Sequence, residues 1–354
     1  MNNNNLVIMA GGVGSRFWPM STTETPKQFI DILGVGRTLL QLTFDRFKDI
    51  CPPENIWVVT SESYKNLTLS QLPELTSEQV LLEPCMRNTA PCIAYASWKI
   101  KSRNPQANLI VSPADHIVAN TEEFKRVIKE SLEFTAKHNK IITLGIKPHR
   151  PETGYGYIQA SEFKDSLTSA LSPVQAFREK PNLEKAQKYI EAGNYFWNAG
   201  IFVWNISSIE NAYRTYLPTM ASLFDTGDPH WFTLDEQSFI NTNFPNCEKI
   251  SVDYGIMEQA DNIYVYPADF GWSDLGTWGS LYDLLPKNVG SNAVIGNQVK
   301  IIDSENCVVN IPSDKKVVIQ GLNNFIVAEK DNTLLICNKD DEQNIREYST
   351  LLNK

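Results

Sequence analysis

The chain has 354 residues, of which 42% are hydrophobic and 21% are charged, and its formal net charge is −9 at pH 7. This composition is ordinary for a soluble globular protein, and the length suffices for one large or two modest domains. The negative charge argues against a general nucleic-acid binder, because such proteins usually carry a basic stripe. A phosphate site in this chain would therefore need a local cluster of cations.

The six cysteines are scattered and form no C-x-x-C pair. We therefore expect free thiols in a reducing compartment rather than a disulfide framework or a zinc site. The first residues, M-N-N-N-N-L, lack the basic and apolar regions of a secretory signal, and no apolar stretch is long enough to span a membrane. We expect a cytoplasmic protein that binds neither a membrane nor nucleic acid.

Up to about residue 145, short apolar runs alternate with helical patterns. This alternation predicts a parallel sheet with helices on both faces, and such sheets bind ligands at the carboxyl ends of their strands. We expect Thr89 and Thr121 to cap the second and third helices. The predicted strands are Leu6–Ala10, Ile56–Thr60, Val80–Leu82, Leu109–Ser112 and Ile141–Gly145, and the predicted helices are Leu39–Phe47, Thr89–Lys101 and Thr121–Lys137.

Beyond residue 150 the pattern is mixed, and residues 218–247 carry no clear signal. The last 65 residues or so contain short apolar runs at regular spacing, which predicts a small β-rich module. The linker Pro286–Asn292 suggests a catalytic domain over 1–288 and a C-terminal module over 289–354. The predicted strands after residue 150 are Tyr157–Ala160, Val174–Phe177, Gly200–Trp204, Ile263–Tyr266, Val299–Ile302, Cys307–Asn310, Lys316–Gln320, Phe325–Glu329 and Thr333–Cys337, and the predicted helices are Leu183–Ala192, Ile206–Tyr216, Ser251–Gln259 and a polar one after Lys339.

The first predicted strand runs into a glycine-rich loop, A-G-G-V-G-S-R-F-W-P at 10–19, and P-K-Q-F follows at 26–29. Glycines allow a close approach of backbone to ligand, and Arg16 and Lys27 add positive charge, so the loop predicts a phosphate site. It lacks the lysine of the Walker A loop, and Phe17 replaces the third glycine of the dinucleotide fingerprint. A plain glycine-rich turn is the alternative.

Two isolated aspartates follow apolar segments. Asp115 lies in S-P-A-D-H after a predicted strand, and Asp274 lies in F-G-W-S-D-L-G-T-W among glycines and tryptophans. Mg²⁺ prefers one or two carboxylates together with phosphate oxygens and water, so the pair predicts a Mg²⁺ site. Each aspartate could instead satisfy its own backbone in a turn or cap a helix.

Three further segments carry candidate binding residues. L-L-E-P-C-M-R-N-T-A-P joins a strand end to a helix start, so Glu83, Asn88 and Thr89 could hold a base or ribose, or cap the helix. G-Y-G-Y-I at 154–158 suits a sugar ring or a tight turn. In F-R-E-K-P and W-N-A-G, polar side chains could meet sugar hydroxyls, form a surface ion pair or make a turn; these are Glu179, Lys180 and Asn198.

Together these segments resemble the mannose-1-phosphate guanylyltransferases, a branch of the sugar nucleotidyltransferases. The resemblance covers about residues 1–285. The glycine loop, P-K, E-K-P and the two aspartates are shared across the wider class, whereas L-E-P…R-N-T-A-P and F-G-W-S-D-L-G-T-W are more particular to the guanylyl branch. The matching segments also include P-A-D-H at 113–116, W-N-A-G at 197–200 and S-V-D-Y-G-I-M-E at 251–258.

The resemblance implies an α/β fold with a Rossmann-like mixed sheet flanked by helices, and a C-terminal module like a left-handed β-helix that the family uses in subunit contact, hence a homodimer. It implies transfer of GMP from GTP to α-D-mannose 1-phosphate, giving GDP-mannose and pyrophosphate. The implied site has Arg16 and Lys27 on the leaving phosphates and Mg²⁺ on Asp115 and Asp274. It also has Ala10, Gly11, Gly12, Gly14, Glu83, Asn88 and Thr89 around the nucleotide, and Gly154, Glu179, Lys180 and Asn198 around the sugar phosphate.

Three alternatives stay open at this point. The same chemistry could use another nucleotide and sugar 1-phosphate, such as UTP with glucose 1-phosphate. A catalytically silent paralogue could bind GDP-mannose as a regulatory subunit, although the intact Arg16, Lys27, Asp115 and Asp274 argue against it. A glycosyltransferase of similar fold would need a D-x-D motif, which Asp115-His116-Ile117 does not supply.

Overall fold

The structure is a computed structural model that describes residues 3–161 and 170–352. The chain divides into two compact units. The first unit comprises Met1–Gly11, Phe44–Ala114 and Val118–Trp272, and the second comprises Gly12–Thr43, Asp115–Ile117 and Ser273–Lys354. These contact-based units are a different division from the sequence domains 1–288 and 289–354, which stay a prediction.

The strands agree closely with the apolar runs of the sequence, and each predicted strand has a counterpart. The strand Tyr195–Asn205 begins five residues before its predicted start, and the strands Ile117–Val118, Trp272–Ser273 and Ala293–Ile295 were not predicted. In chain order the strands are β1 Asn4–Met9, β2 Ile56–Ser61, β3 Val80–Glu83, β4 Asn108–Pro113, β5 Ile117–Val118, β6 Ile141–Ile146, β7 Tyr157–Ala160, β8 Ser172–Arg178, β9 Tyr195–Asn205, β10 Ile263–Ala268, β11 Trp272–Ser273, β12 Ala293–Ile295, β13 Val299–Ile302, β14 Val308–Asn310, β15 Val317–Gln320, β16 Phe325–Lys330 and β17 Thr333–Asn338.

Most predicted helices are also present. The stretch 218–247, which has no clear sequence pattern, contains two short helices, and the predicted helix Ser251–Gln259 is a single π-helical turn, Asp253–Met257. The α-helices are α1 Leu39–Phe47, α2 Lys65–Gln71, α3 Thr89–Arg103, α4 Thr121–Thr135, α5 Leu183–Ala192, α6 Ile206–Tyr216, α7 Pro218–Asp225, α8 Glu236–Asn243, α9 Trp278–Leu284 and α10 Ile345–Leu351.

The first unit contains a nine-stranded mixed sheet of order β3-β2-β1-β4-β9-β6-β10-β8-β7. Strands β1 to β4 are mutually parallel, whereas β9 runs antiparallel to both β4 and β6. The carboxyl ends of parallel strands lie at one edge of a sheet, so the ends of β1, β3 and β4 share an edge. The chain therefore brings Ala10 and Glu83 to the same end of the sheet.

Packing of helix α3 against this sheet forms much of the core. Its residues from Ala90 to Ile100 are all buried, and Trp98 packs edge-to-face against Tyr213 of α6 and at a tilt against Phe224 of α7. A helix that is apolar on most of its surface must be covered on most sides. Burial of α3 therefore fixes the start of that helix, which directly follows the segment Arg87–Asn88.

Both predicted helix caps lie one residue too late. The cap of α4 is Asn120, whose side-chain oxygen accepts a hydrogen bond from the Glu123 N–H at 3.0 Å. Thr89 is the first residue of α3 and Asn88, with φ 63°, precedes it without a side-chain cap bond. Thr89 Oγ1 instead accepts from the Val252 N–H at 2.9 Å. Threonine and asparagine both suit the position, so composition alone does not choose between neighbours.

The second unit is built around short parallel strands. β12, β14 and β16 pair in parallel, as do β13 and β15, and β17 closes the larger sheet antiparallel to β16. Ala293, Val308 and Ile326 stack in register on successive coils. Repeated parallel pairing at this spacing is the pattern of a β-helix. The polar terminal segment predicted after Lys339 forms a 3-10 stretch followed by α10.

Phe17 and Trp278 lie at the centre of the second unit's core, with ring centroids 5.3 Å apart. Ile345 from α10 is fully buried in the same cluster, together with Val308 and Ile326 of the β-helix. Residues from the glycine-rich loop, from the segment after Asp274 and from the C-terminal helix thus share one apolar core. This core holds the loop in a fixed place within its unit.

Two observations concern the compartment. The six cysteines, all within the described ranges, are free thiols, and four of them are buried. No helix in residues 3–161 or 170–352 combines the length and apolar character that a membrane crossing requires.

We predict that Asn292→Ala destabilises the β-helix. Its buried side chain donates to the Ser304 carbonyl at 2.8 Å and accepts from the Cys307 N–H at 2.9 Å. Alanine would leave both backbone groups without a partner, at a cost of roughly 2–4 kcal/mol. The measurement is the free energy of unfolding in denaturant. Asn323→Ala, at an exposed asparagine two coils later, is the control and should change it by less than about 0.5 kcal/mol.

Candidate active site

A cavity of about 450 Å³ in the second unit gathers the predicted catalytic residues. Gly14, Arg16, Lys27, Asp115 and Asp274 all line it, although they come from three distant parts of the sequence. The family resemblance implied that these five residues belong to one site, and they do lie around one cavity.

The glycine-rich loop has a conformation that its sequence requires. Gly14 has φ 71°, and a Cβ atom there would lie 2.5 Å from the Cβ of Lys27. A single 3-10 turn, Ser15–Phe17, follows, and Trp18 is then extended before Pro19. Since no long helix starts here, the loop differs in structure, as in sequence, from the Walker and dinucleotide loops. A substituent on Gly12 would meet open space.

Lys27 is the most constrained charged residue of the cavity. Its buried Nζ donates to the carbonyl oxygens of Asp274 at 3.0 Å and Leu275 at 2.8 Å, and it forms an ion pair with Asp115 Oδ2 at 2.9 Å. An ammonium has three donors, and all three are therefore used. Leu275 has φ 46°, a conformation that costs a non-glycine residue on the order of 1 kcal/mol.

The two aspartates supply the anionic side of the cavity. Burial acts to raise the pKa of Asp115, but the charges of Lys27 and His116 outweigh it and hold the pKa below its usual value. Asp274 Oδ1 accepts from the Gly276 N–H at 3.2 Å. Within the described residues no group of three or more His, Cys, Asp or Glu side chains could hold a metal. Two carboxylates in an open cavity do fit Mg²⁺, which takes its other ligands from phosphate and water.

Arg16 is exposed and lines the same cavity. Its side chain forms no ion pair with the residues at 3–161 or 170–352. A guanidinium offers several donors in one plane, so it can bind two oxygens of a phosphate at once. The cavity can therefore accept an anion next to its two carboxylates.

Glu83, at the end of β3 in the first unit, is a buried carboxyl group whose Oε1 has no hydrogen-bond partner among the described residues. Burial raises its pKa to about 7. A Cβ on Gly11 would lie 3.4 Å from Glu83 Oε2, so Gly11 leaves room beside it. Ala10 is fixed next to them, because its N–H donates to the Val59 carbonyl and its carbonyl accepts from Thr60 Oγ1.

A second group of predicted residues in the first unit surrounds Asn198. Its amide oxygen accepts from Thr143 Oγ1 and from the Gly200 N–H, both at 3.0 Å, and its amide nitrogen donates to Asp253 Oδ1 at 3.0 Å. Asn198 lies inside β9 and not in a turn before it, because residues 195–197 pair with β7. The interpretation of W-N-A-G as a turn is therefore wrong.

Glu179 and Lys180 form an ion pair that is buried on one side only, since the Glu179 side chain is 8% exposed and the Lys180 side chain is 58% exposed. Burial, followed by the charge of Glu179, raises the pKa of Asp253 to about 6. Gly156 leaves the space that Glu179 occupies, since a Cβ there would lie 2.4 Å from Glu179 Oε2. Gly154, the predicted glycine, contacts Glu152 of its own loop instead.

Several residues of the cavity and of the group around Asn198 are absent from the sequence prediction, among them Asp253, Gly156, Gln343 and Arg346. Asp253 and Gly156 lie in the matching segments S-V-D-Y-G-I-M-E and G-Y-G-Y-I, and their place in those segments was the signal available for them. Gln343 and Arg346 line the cavity of the second unit from the C-terminal segment. That segment is polar and gives no motif, so only the folded chain reveals their position.

A nucleotidyl transferase family model matches residues 5–289, and a model described as a MannoseP isomerase/GMP-like beta-helix domain matches residues 296–350. A mannose-1-phosphate guanylyltransferase 2 of Escherichia coli O157:H7 is 34% identical over 98% of this chain and 73% of its own length. The chain belongs to the mannose-1-phosphate guanylyltransferase family. The alginate biosynthesis protein AlgA of Pseudomonas aeruginosa is 32% identical over 96% of the chain and 70% of its own length.

A similar solved structure supports the fold over the full length. The crystal structure described as a mannose-1-phosphate geranyltransferase from Thermus thermophilus aligns with a TM-score of 0.88 and 28% identity, covering 100% of both chains. The expected α/β nucleotidyltransferase fold with a mixed sheet and a C-terminal β-helix is thereby confirmed.

We predict different outcomes for two neighbouring glycines. Gly14→Ala should lower the free energy of unfolding by at least about 1 kcal/mol, because its φ is positive and its Cβ would collide with Lys27. Gly12→Ala, the matched control, meets open space and should change it by less than about 0.5 kcal/mol. Denaturant unfolding of both variants is the measurement, and equal destabilisation would contradict the loop geometry described here.

We predict a pH-dependent stability gain for Glu83→Gln. Because the folded-state pKa of about 7 lies above the usual 4.5, the wild type loses stability as the pH rises through 7. At roughly 1.4 kcal/mol per pKa unit, this loss is on the order of 3 kcal/mol by pH 8. The variant lacks it, so its stability relative to the wild type should rise between pH 5 and pH 8.

Thermal or denaturant unfolding at the two pH values measures this difference. The control is Glu54→Gln, at an exposed glutamate of the same unit, which should leave the pH profile unchanged. A Glu83→Gln profile parallel to that of the wild type would show that the carboxyl group is not held protonated by burial.

Proposed function

We propose that the chain transfers GMP from GTP to α-D-mannose 1-phosphate and releases pyrophosphate, giving GDP-mannose. The observation that supports this most directly is the cavity of the second unit, which combines a glycine loop, the exposed Arg16 and two carboxylates. Similarity to guanylyltransferases over nearly the whole chain supports the choice of substrates.

The chemistry needs no general base and no covalent nucleophile. The attacking atom is an oxygen of the sugar phosphate, which is already ionised at neutral pH. It forms a bond to the α-phosphorus of GTP, and the bond from that phosphorus to the bridging oxygen breaks, so that pyrophosphate leaves with the electron pair. The protein then contributes position and charge, as in other phosphoryl transfers.

Asp115 and Asp274 would hold Mg²⁺, which neutralises phosphate charge when bound. Gly12 and Gly14 would let the loop backbone approach the triphosphate, and Arg16 would bind the β- and γ-phosphates and the departing pyrophosphate. Lys27 would add its positive charge from a fixed position, since two carbonyl oxygens and Asp115 already orient its ammonium.

In the first unit, Glu83 would recognise the base beside Ala10 and Gly11. An ionised carboxylate only accepts hydrogen bonds, and the Watson–Crick edge of guanine offers two adjacent donors, N1–H and the N2 amine, whereas uracil offers one. A buried carboxylate without a partner is costly, so a base that satisfies both oxygens is favoured. Asn88 and Thr89 would lie along the base and ribose.

The sugar phosphate would bind at the group around Asn198. Glu179 and Lys180 place an acceptor and a cation side by side, and Gly154 would contact the sugar from its loop. Asn198 would act partly by orienting Asp253, to which it donates a hydrogen bond. We add Asp253 to the proposed sugar site because its buried carboxyl group can accept from sugar hydroxyls.

A second function deserves a test: transfer with another nucleotide and sugar 1-phosphate, since base choice depends on Glu83 and a few neighbouring groups. A regulatory GDP-mannose-binding paralogue is less favoured, because Arg16, Lys27, Asp115 and Asp274 are all in place around the cavity. We propose the cytoplasm as the compartment, which suits free thiols, and a homodimer as the assembly.

We predict Mg²⁺-dependent release of pyrophosphate from GTP and mannose 1-phosphate. Asp274→Ala should lower kcat by roughly 100-fold or more. The loss of this carboxylate weakens the binding of Mg²⁺, whose positive charge stabilises the reacting phosphates. The assay compares four nucleoside triphosphates, each with mannose and glucose 1-phosphates, with and without EDTA. Asp283→Asn, at an exposed aspartate of the same unit outside the cavity, is the control and should keep full activity.

Turnover with UTP and not with GTP would refute the guanylyl assignment. Full activity of Asp274→Ala would remove its proposed metal role. A chain that binds GDP-mannose but turns over none of the eight substrate pairs would be the regulatory paralogue.

A further inference from the structure

The C-terminal segment brings a cation to the cavity that the proposed reaction above leaves unused. Arg346, in α10, lines the cavity together with Arg16 and Lys27. Gln343, from the 3-10 stretch that precedes α10, lines it as well. The family model of the β-helix domain covers both residues, and no catalytic or binding role follows for them from the motifs of the N-terminal 285 residues.

Two anchors hold this segment beside the glycine loop. Glu342 Oε2 accepts a hydrogen bond from the Gly279 N–H at 2.7 Å, near the start of α9. Ile345 is fully buried in the core cluster that contains Phe17 of the loop and Trp278 of α9. Arg346 follows Ile345 directly, so its backbone cannot move away from the loop without breaking that core. Its position at the cavity therefore follows from the packing of its neighbour.

The charges of the cavity leave Arg346 available. Lys27 is committed to Asp115 and to two carbonyl oxygens. Arg16 and Arg346 are exposed, and neither forms an ion pair within the described ranges 3–161 and 170–352. The cavity thus has two guanidinium groups, although the net charge of the chain is −9. Guanidinium pairs bind phosphates through several charge-assisted hydrogen bonds.

We propose that Arg346 binds the β- and γ-phosphates of the nucleotide, and then the leaving pyrophosphate, together with Arg16. The C-terminal β-helix module would thus supply a substrate-binding residue and not only a structural support. The proposal rests on the proposed function, because that function identifies the anion as a nucleoside triphosphate. Pyrophosphate carries more charge as a free ion than as part of GTP, so a second cation would help most as the leaving group separates.

The test uses Arg346→Gln in the full-length protein, assayed in both directions of the reaction. We expect the KM for GTP and the KM for pyrophosphate to rise about tenfold or more, the effect of losing a charge-assisted hydrogen bond. The KM values for mannose 1-phosphate and GDP-mannose should stay within about twofold. Arg346→Lys should recover part of the loss, because it keeps the charge without the planar fork.

Lys300→Gln is the matched control: it removes one positive charge from an exposed strand position of the same module, away from the cavity, and should leave all four KM values unchanged. Equal changes in the KM values of Arg346→Gln and Lys300→Gln would show that the effect comes from net charge alone, and this would overturn the proposal. So would an Arg346→Gln variant that weakens sugar phosphate binding and pyrophosphate binding alike, since that is the result of a disturbed fold.

Direct titration of inorganic pyrophosphate by calorimetry separates this proposal from the proposed function. If the wild type makes no GDP-mannose but binds pyrophosphate about tenfold more tightly than Arg346→Gln, the proposed function fails and the role of Arg346 stands. If GDP-mannose forms and pyrophosphate binds both proteins equally, the role of Arg346 fails and the function stands.

Discussion

One buried ammonium group holds the second unit's site together. Lys27 Nζ binds the carbonyl oxygens of Asp274 and Leu275 and the carboxylate of Asp115, so three segments that are remote in sequence meet at a single atom. A buried charge without its partners costs several kcal/mol. Lys27 thus ties the carboxylate of Asp115 to the backbone beside Asp274. Gly14 leaves room for the Lys27 side chain, because a Cβ atom at Gly14 would lie 2.5 Å from the Lys27 Cβ.

The first unit contains two buried carboxyl groups that lower the stability of the fold. Glu83 and Asp253 are buried carboxyl groups with raised pKa values, and desolvation is the main cause for both. Among the described residues, neither has a cation beside it that would offset this cost, apart from a minor effect of Lys180 on Asp253. Buried, poorly paired acids of this kind are characteristic of binding and catalytic sites. This cost to stability fits a role in which the two carboxyl groups accept hydrogen bonds from a bound ligand.

Local patterns predicted a phosphate loop and a metal site, but they left a plain turn open for each. Glycines, an arginine and a lysine follow a buried strand, and two aspartates follow other apolar runs. Only the family resemblance combined these residues into one site. The start of β9 could not be predicted, because residues 195–197 form strand by pairing with β7, some 40 residues earlier in the chain, and Trp197 also pairs with β6. Arg346 was missed for a related reason: it lies in a polar helix, and its place depends on the burial of Ile345.

The core formed by Phe17, Trp278 and Ile345 has a consequence for synthesis of the chain. Phe17 and Trp278 lie roughly 260 residues apart, which a ribosome covers in about 13–50 s at 5–20 residues per second. Throughout that interval the glycine loop has emerged from the ribosome without the part of its core that Trp278 and Ile345 supply. The apolar core around the loop can thus be completed only after the C-terminal helix has been made.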